Sequence, residues 1–427
     1  MMKKIIEDRE EEASDNNNNK FTVNWSDLCE DMVEHLASHL ATPRDYISFR
    51  GVCHSWRSLT PPLSHLPWLL LHDDPTTALR RFYIPIEDRV RSFDIPGMSG
   101  CFCVGYSKGW LLMLHKETKK LSLVNPFSSG CSSVVPLPPL PKEYSGWMSI
   151  RRHRNWRRNT RYIQKMVLSN SSPTSADCVI VILFGYGFIA VYKPGEETWS
   201  LLNNSEGPFV DALFYKDQLL VVNDMGMITA FEELEDEDDW DETTWDEVPS
   251  VLPKDEEGFD ARIYFFTSRD GVEERMDNVK FYIVESSGGD LMMVLQLKHD
   301  LSKGKDIKNL TAGFILFRFE NTTYRGVSQW VKVESLGEEA LFLGKNESRL
   351  IVVSDADSLQ GVKKNHIYFT EYEHGCFTGN TVDPHWDLDM GVYSLEDGSV
   401  SDYIISKKPY LIGGGRRVWE SPPIWFN

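Results

Sequence analysis

The sequence predicts a small all-α module of three helices followed by a large all-β domain, and two observations support this division. Apolar residues recur at helical spacing between Asn24 and Leu59. From about Pro67 onward that periodicity disappears, and short apolar runs are separated by Gly, Pro, Asn and Asp turn signals. We therefore expect a disordered, charged N-terminus over residues 1–20, a helical module over 21–66 and the β domain over 67–427.

The first helix is predicted by apolar residues that share one helix face, namely Leu28, Met32, Val33, Leu36 and Leu40. Ser26 or Asp27 is its expected N-cap, because either side chain can accept hydrogen bonds from first-turn N–H groups. The helix is expected to end near Ala41.

Two further helices follow at short intervals. Thr42 and Pro43 predict the start of the second, because proline at the first helical position loses no hydrogen bond there. The third carries Trp56 and Leu59 and ends before a Pro-Pro pair. So small a module buries little area, and it should need a partner or a neighbouring domain.

The stretch WSDLCEDMVEHLASHLATPRDYISFRGVCHSWRSL resembles the F-box of plant F-box proteins. The resemblance implies an F-box core and a surface that grips a Skp-type adaptor, supplied by Leu28, Cys29, Met32, Val33, Leu36, Leu40, Val52, Cys53 and Trp56. Cys29 stands where the family usually has proline. A cysteine does not restrain φ as proline does, so the unfolded chain gains freedom and the helix entry loses up to about 1 kcal/mol of stability if the native φ is proline-like. We expect this loss to weaken adaptor binding without abolishing it.

Two other interpretations of this segment are open. It is a small helical cap on the larger domain, or it carries a metal site, because His35 and His39 lie one helical turn apart. We favour solvent-facing histidines and predict no metal and no cofactor, since no third ligand accompanies the pair.

The β domain is predicted from runs such as 109–114, 121–124, 188–192, 218–222, 281–284 and 290–297. A weak repeat joins an apolar strand, a polar turn and a Trp or other apolar anchor, most plainly in FIAVYKPGEETWSLL. A β-propeller fits this repeat best, and a pair of sandwiches is the alternative.

Most of residues 79–427 also resemble the plant KIB-type β-propeller, a domain commonly found behind an F-box. The resemblance is carried by GYSKGWLLML, LVNPF, FYIVESSGGDLMMV, WVKVESLGEEALFLG, NHIYFTE, MGVYSLEDG and the terminal SPPIWFN. None of these motifs is catalytic in character. We expect Trp110, Trp199, Trp330 and Trp425 to be core residues that anchor blades, because each indole buries a large area.

An acidic insertion near 232–258 contains the run EELEDEDDWDETTWDE. One interpretation is a solvated, disordered loop. The other is a docking strip in which Trp240 and Trp245 anchor a basic substrate while the carboxylates steer its approach.

A basic segment, RRHRNWRRNTR, concentrates Arg151, Arg152, Arg154, Arg157 and Arg158 around Trp156. It is a candidate nuclear-import signal or phosphate-binding patch. An exposed loop neutralised by the acidic insertion is the other interpretation, and the one we favour.

The overall charge and composition set limits on function and location. Acidic residues outnumber basic ones by 64 to 45, which gives a net charge of −19 and argues against general binding to nucleic acid or anionic membranes. The longest apolar run, 179–192, is shorter than the roughly 20 residues that span a bilayer, and we expect it to form two strands and a turn. The N-terminus lacks the apolar core of a secretory signal, so we expect nucleus and/or cytoplasm and no membrane.

No P-loop, HExxH, GxSxG or zinc-spaced Cys/His motif is present in the sequence. Asp383, His385 and Asp387 suit a turn as well as an acid–base group, and Gly413–Gly415 suits a loop. The resemblances imply a non-catalytic substrate-recognition subunit of an SCF-type ubiquitin ligase, with a cullin-RING ligase and an unknown protein substrate as partners. The alternative is a non-ligase nuclear scaffold with an F-box-like module.

Overall fold

The structure is a computed structural model that describes residues 25–38, 48–60, 67–71, 78–84, 89–95, 97–126, 134–140, 163–184, 188–203, 208–231, 264–267, 273–276, 278–300, 309–322, 327–353, 362–372, 388–402 and 424–426. The chain divides into two compact units, Met1–Leu63 and Ser64–Asn427. The first is helical and the second is built from strands. Within the described residues, no helix is long and apolar enough to cross a membrane.

The helical unit begins with a 3-10 turn at Trp25–Asp27, followed by α1 (Glu30–Ser38), a helical turn at residues 48–50 and α2 (His54–Leu59). The prediction that Ser26 or Asp27 caps the first helix is therefore wrong, because those residues belong to the 3-10 turn and α1 begins at Glu30. The Cys29 carbonyl accepts the N–H groups of Met32 and Val33, both at 3.1 Å. The predicted start of the second helix at Thr42 lies outside the described residues.

The strand unit is a β-propeller with six blades in its described part. Blade 1 holds β1 (Trp68–Leu70), β2 (Leu79–Ile84), β3 (Arg89–Asp94) and the C-terminal β26 (Ile424–Phe426). Blade 2 holds β4 (Cys101–Ser107), β5 (Trp110–His115), β6 (Leu121–Val124) and β7 (Val134–Pro136). Blade 3 holds β8 (Ile163–Leu168), β9 (Ile180–Phe184), β10 (Phe188–Tyr192) and β11 (Ser200–Asn203).

The second half of the ring is less regular. Blade 4 holds β12 (Phe209–Tyr215), β13 (Gln218–Asn223) and β14 (Ile228–Phe231), and a separate ribbon holds β15 (Tyr264–Thr267) and β16 (Glu273–Met276). Blade 5 holds β17 (Asn278–Glu285), β18 (Leu291–Asp300), β19 (Asn309–Thr322) and β20 (Val327–Val333). Blade 6 holds β21 (Glu339–Leu343), β22 (Arg349–Val352), β23 (His366–Tyr372), β24 (Leu388–Ser394) and β25 (Val400–Asp402).

The ring is closed by the two ends of the strand unit. β26 pairs antiparallel with β1, with Leu69 opposite Trp425. The last strand in sequence is thus the first strand of blade 1, and this pairing ties the C-terminus to the start of the domain. The terminal SPPIWFN motif therefore supplies the strand that closes the ring.

Apolar clusters fill five of the interfaces between neighbouring blades in the described part of the ring. The predicted anchoring role of Trp110, Trp199, Trp330 and Trp425 is confirmed by their burial in these clusters. Two of them also link blades 2 and 3, since Trp110 Nε1 donates to the Ser171 carbonyl (3.0 Å) and Trp199 Nε1 to the Pro138 carbonyl (2.8 Å).

The predicted strands are confirmed within a few residues. Residues 121–124 and 188–192 match β6 and β10 at both ends, and the apolar run 179–192 contains β9 and β10, as predicted, while the predicted turn at 185–187 lies outside the described residues. The alternative of two sandwiches is wrong, because the sheets follow one another around a closed ring.

Candidate functional site

The helical unit has a small buried core. Val33, Phe49 and Trp56 are buried, and Leu28, Ala37, Cys53 and Leu59 pack against them. The Phe49 and Trp56 rings stack with centroids 4.3 Å apart, and Trp56 Nε1 donates to the Trp25 carbonyl at 2.8 Å. These contacts join three separate parts of the sequence into one module.

A second set of apolar residues in the same unit faces outward. Met32, Leu36 and Val52 are 54%, 37% and 59% exposed, and Trp25 is 60% exposed. Met32 and Leu36 lie four residues apart on α1, so they share one side of that helix. The residues expected to share one face are therefore divided: Val33 points into the core, while Met32 and Leu36 point away from it. Exposed apolar side chains that share one helix side, as Met32 and Leu36 do, are typical of an interaction surface.

Cys29 directly precedes α1. Its thiol is free and exposed, and its carbonyl closes the first turn of α1. The structure thus forms the start of the helix without the proline that the F-box family usually has there. Leu40 lies outside the described residues, so its predicted contribution to this surface stays a prediction.

Other predicted sites also lie outside the described residues. These are the N-terminal residues 1–20, the acidic insertion near 232–258 with Trp240 and Trp245, the basic residues Arg151, Arg152, Arg154, Arg157 and Arg158, the Asp383, His385 and Asp387 group and Gly413–Gly415. His35 is exposed on α1, and its proposed partner His39 is again outside them. No group of three or more His, Cys, Asp or Glu side chains in the described part of the chain is arranged to hold a metal.

At the centre of the propeller, a buried ion pair joins blades 3 and 4. Lys165 on β8 pairs with Asp211 on β12, and both side chains are almost completely buried. The Asp211 carboxylate also accepts the Ala212 N–H (2.8 Å), the Ile283 N–H of blade 5 (3.0 Å) and the Ser348 hydroxyl of blade 6 (3.2 Å). The Asp211 carboxylate, which belongs to blade 4, therefore contacts blades 3, 5 and 6.

The strand order of blade 6 explains how Ser348 reaches this position. Its order is β22-β21-β23-β24-β25, so the second strand in sequence is the innermost one. The connection between β21 and β22 consequently runs through the middle of the ring, where the Glu347 N–H donates to the Tyr106 carbonyl (3.0 Å) and the Ser107 hydroxyl donates to Glu347 (2.8 Å). Lys345 Nζ donates to the Ile163 carbonyl at 3.1 Å.

We call Ser107, Lys165, Asp211, Glu347 and Ser348 the central cluster. Its members come from blades 2, 3, 4 and 6, and Ile283 adds blade 5 through its backbone. Burial lowers the pKa of Lys165, while the charge of Asp211 and the hydrogen bond to it act in the opposite direction. Because Lys165 and Asp211 are paired and almost completely buried, this ion pair is suited to holding the blades together.

A second polar network lies between blades 5 and 6. Glu371 pairs with Lys280, lies 3.6 Å from Lys298 Nζ and accepts the Tyr282 hydroxyl at 2.7 Å. Lys298 also lies 3.3 Å from Asp389. Burial raises the pKa of Glu371, but the two lysine charges and the hydrogen bonds outweigh it and hold that pKa at about 2. Burial and the adjacent Glu371 charge raise the pKa of Tyr282 well above its ordinary value.

Sequence reasoning missed both networks, although a signal was present. Lys165 lies in the strand IQKMVL, Asp211 in FVDALFY, and Gln296 and Lys298 near the end of LMMVLQLKHD. An isolated charged or amide side chain inside an apolar strand points to a buried partner. The sequence gives no indication of which strand supplies that partner.

The connections between the first and second strands of blades 2 to 5 lie side by side on one face, which we call the front face. Lys108 Nζ in the β4–β5 turn donates to the Ser169 carbonyl after β8 (3.1 Å), and the Tyr215 hydroxyl before the β12–β13 turn donates to the Gly289 carbonyl (2.9 Å). Lys216 and Asp217 both have positive φ, 50° and 67°, as a two-residue hairpin turn of type I′ requires. Such connections are the usual place for binding specificity, because the blades hold them on a rigid scaffold.

The chain is similar to a known β-propeller family and to plant F-box proteins. Residues 82–394 match the family model described as KIB1-4 beta-propeller. The chain is similar to F-box protein SKIP23 of Arabidopsis thaliana, with 21% identity over 94% of this chain and 95% of that protein. It is also similar to F-box protein At2g26160 of the same plant, with 24% identity over 81% of this chain and 95% of that protein. Among solved structures, the Cps50 (Swd1) β-propeller domain of Myceliophteria thermophila aligns with 10% identity over 79% of this chain and 80% of that one, at a TM-score of 0.30.

Proposed function

Because this chain belongs to the KIB1-4 β-propeller family, we propose that it is the substrate-recognition subunit of an SCF-type ubiquitin ligase. The helical unit would bind a Skp-type adaptor, and the propeller would bind the target protein. The chain itself would do no chemistry. It would hold a target lysine near the ubiquitin-charged E2, which raises the effective concentration of the two reactants.

The observation that carries this proposal is the division of apolar residues in the helical unit. Val33, Phe49 and Trp56 make the core, while Met32, Leu36 and Val52 are left exposed. Fully burying an exposed side chain of this kind contributes about 1.5–3 kcal/mol, and these three are already about half buried, so covering them supplies part of the free energy of an adaptor interface. The names of the two full-length relatives, both F-box proteins, favour the same role.

The test is capture of a purified Skp-type adaptor by the purified full chain. In the surface variant Met32→Glu/Leu36→Glu/Val52→Glu, we expect the affinity to fall at least about 100-fold, because three charges replace the apolar contact. Val400→Glu is the matched control, since Val400 is also exposed, at 43%, but belongs to the propeller. Equal capture by wild type and surface variant would contradict the proposed interface.

On the target side, we propose that the acidic insertion recruits a basic segment of the substrate. Residues 232–247 hold many carboxylates together with Trp240 and Trp245. Charge steers the encounter, whereas buried aromatic side chains supply most of the binding energy. Enrichment of targets by wild type but not by a Trp240→Ala/Trp245→Ala variant that still folds would support this assignment, and equal enrichment would contradict it.

We also propose that the protein works in the nucleus and/or the cytoplasm. The arginines of residues 151–158 are the candidate import signal, against the exposed loop that we favour from the sequence. If they are the signal, replacing them by glutamine will shift a fluorescent fusion toward the cytoplasm. An unchanged distribution would remove the import role and leave the segment as an exposed basic loop.

A further inference from the structure

A short connection crosses the middle of the propeller ring. Residues 344–348 join β21 to β22 of blade 6, and we call them the central strap. Blade 6 packs against blades 5 and 1 through apolar clusters, so those two blades are its neighbours in the ring. The central strap instead reaches blades 2, 3 and 4, which lie beyond those neighbours.

Blade 2 holds the central strap through its first strand. The Glu347 N–H donates to the Tyr106 carbonyl at 3.0 Å, and the Ser107 hydroxyl donates to the Glu347 carboxylate at 2.8 Å. Tyr106 also forms a parallel β-bridge with Asn346. The Ser107 oxygen accepts the Leu168 N–H at 3.0 Å, so one hydroxyl links the central strap to blades 2 and 3.

Blades 3 and 4 hold the central strap on either side of this contact. Before it, Lys345 Nζ donates to the Ile163 carbonyl at 3.1 Å. After it, the Ser348 hydroxyl accepts from Lys165 at 3.1 Å and donates to Asp211 at 3.2 Å. Ser348 is 5% exposed, so water competes little for these hydrogen bonds.

The strands that flank the central strap are themselves fixed in the core. Leu343 before it and Leu350 after it pack in the cluster between blades 5 and 6, while Ile351 packs in the cluster between blades 6 and 1. Gly344 lies so close to the third strand of blade 6 that an added Cβ would be 2.6 Å from Thr370 Oγ1. The central strap therefore cannot leave its position without disturbing two apolar clusters.

The pairing of β26 with β1 closes the ring in a different way. It consists of three register pairs between Trp68–Leu70 and Ile424–Phe426. β26 lies at the edge of its sheet, and within the described residues β1 is the one strand that it pairs with. Trp425 adds apolar burial in the cluster between blades 6 and 1. A short edge strand held from one side opens locally more readily than a segment held by several blades.

We propose that the central strap is a second closure of the ring, which holds blades 2, 3, 4 and 6 together when β26 separates from β1. Blade 1 can then open locally while the other blades keep their arrangement. The front-face turns of blades 2 to 5 stay in place during this opening. This inference does not depend on the proposed ligase role.

Native-state hydrogen exchange of the wild-type full chain tests the order of opening. The Glu347 amide and the amides of 163–168 and 209–215 should have protection factors at least about tenfold larger than those of 424–426, because β26 opens while the central strap stays bound. A protection factor of Glu347 equal to or smaller than those of 424–426 would overturn the proposal.

Removing two hydroxyls that fasten the central strap provides a second test. In Ser107→Ala/Ser348→Ala, the protection of Glu347 and of 163–168 should fall at least about tenfold, because buried hydrogen bonds are lost. The protection of 424–426 should stay the same, since the opening of β26 leaves the contacts of the central strap unchanged.

The matched control is Ser122→Ala/Ser401→Ala, which removes two hydroxyls from outer strands of the same two blades and should change neither region. If the strap variant does not fold, Ser107→Ala alone is measured in the same way. Equal losses of protection in 163–168 and 424–426 would mean that the ring has a single closure. No loss in either region would mean that the hydroxyls do not fasten the strap, and either result would overturn the proposal.

Discussion

Removing the carboxylate of Asp211 should destabilise the propeller more than removing the ammonium of Lys165. Asp211→Ala leaves the Lys165 ammonium buried without its directly paired carboxylate, although the Ser348 hydroxyl at 3.1 Å and the favourable charge of Glu347 remain. It also removes the acceptor of the Ile283 N–H. Breaking a buried ion pair costs about 3–5 kcal/mol, and an unsatisfied buried N–H costs about 1–3 kcal/mol more.

Lys165→Met should destabilise the propeller less than Asp211→Ala, because the carboxylate left behind keeps its hydrogen-bond donors. The Asp211 carboxylate keeps three donors, namely the N–H groups of Ala212 and Ile283 and the hydroxyl of Ser348. We therefore expect the loss for Asp211→Ala to exceed that for Lys165→Met by about 2 kcal/mol.

Urea unfolding of the purified chain, followed by tryptophan fluorescence, measures both losses. Glu338→Ala is the control, since its ion pair with Lys364 is exposed and should contribute less than about 1 kcal/mol. A loss for Lys165→Met equal to or larger than that for Asp211→Ala would refute the reasoning, because it would mean that the three donors do not compensate the buried carboxylate.

Three further predictions concern separate parts of the molecule. The pKa of Glu371 is lowered from 4.5 to about 2 in the folded chain, so its contribution to stability is complete above pH 4.5 and is lost as the pH falls toward 2. The loss is on the order of 3 kcal/mol, and unfolding measured across this range should be less pH-dependent in Glu371→Gln. Cys29→Pro should strengthen adaptor binding through up to about 1 kcal/mol of helix stabilisation, which isothermal titration would detect; weaker binding would show that the native φ at this position is not proline-like. Gly226→Ala should lower the Tm, because Gly226 has φ +81° and an added Cβ would lie 2.6 Å from the Phe281 ring; an unchanged Tm would mean that the turn relaxes without cost.

The strands and the burial of the tryptophans were predictable from the sequence because they depend on local pattern. Turn residues and apolar runs placed β6 and β10 at their observed bounds. Trp199 and Trp330 were expected in the core because an exposed indole leaves a large apolar area in contact with water, and both are buried.

The arrangement of those strands was not predictable from local pattern. The pairing of Leu69 with Trp425 joins opposite ends of the domain. In blade 6, β21 pairs in parallel with β23, so β22 lies inside β21 although it follows β21 in the sequence. The contacts of Asp211 with Lys165 and Ser348 depend on this long-range order, and no spacing in the sequence encodes it.

In the helical unit, periodicity located α1 but did not separate its two apolar sides. Met32 and Val33 are adjacent in sequence and therefore about 100° apart on the helix, so one can be buried and the other exposed. Which side faces the core is decided by Phe49 and Trp56, whose stacked rings come from a different part of the chain.

The most direct test of the central claim is ubiquitin transfer by a reconstituted ligase. The full chain would be mixed with a Skp-type adaptor, a cullin-RING core, E1, E2, ubiquitin and ATP, and ubiquitin on the chain's own lysines would be measured. We predict transfer onto wild type and Val400→Glu, and none above background onto Met32→Glu/Leu36→Glu/Val52→Glu. Equal transfer onto that variant, or none onto wild type in an assay where another F-box protein is modified, would contradict the role of this chain as a ligase subunit.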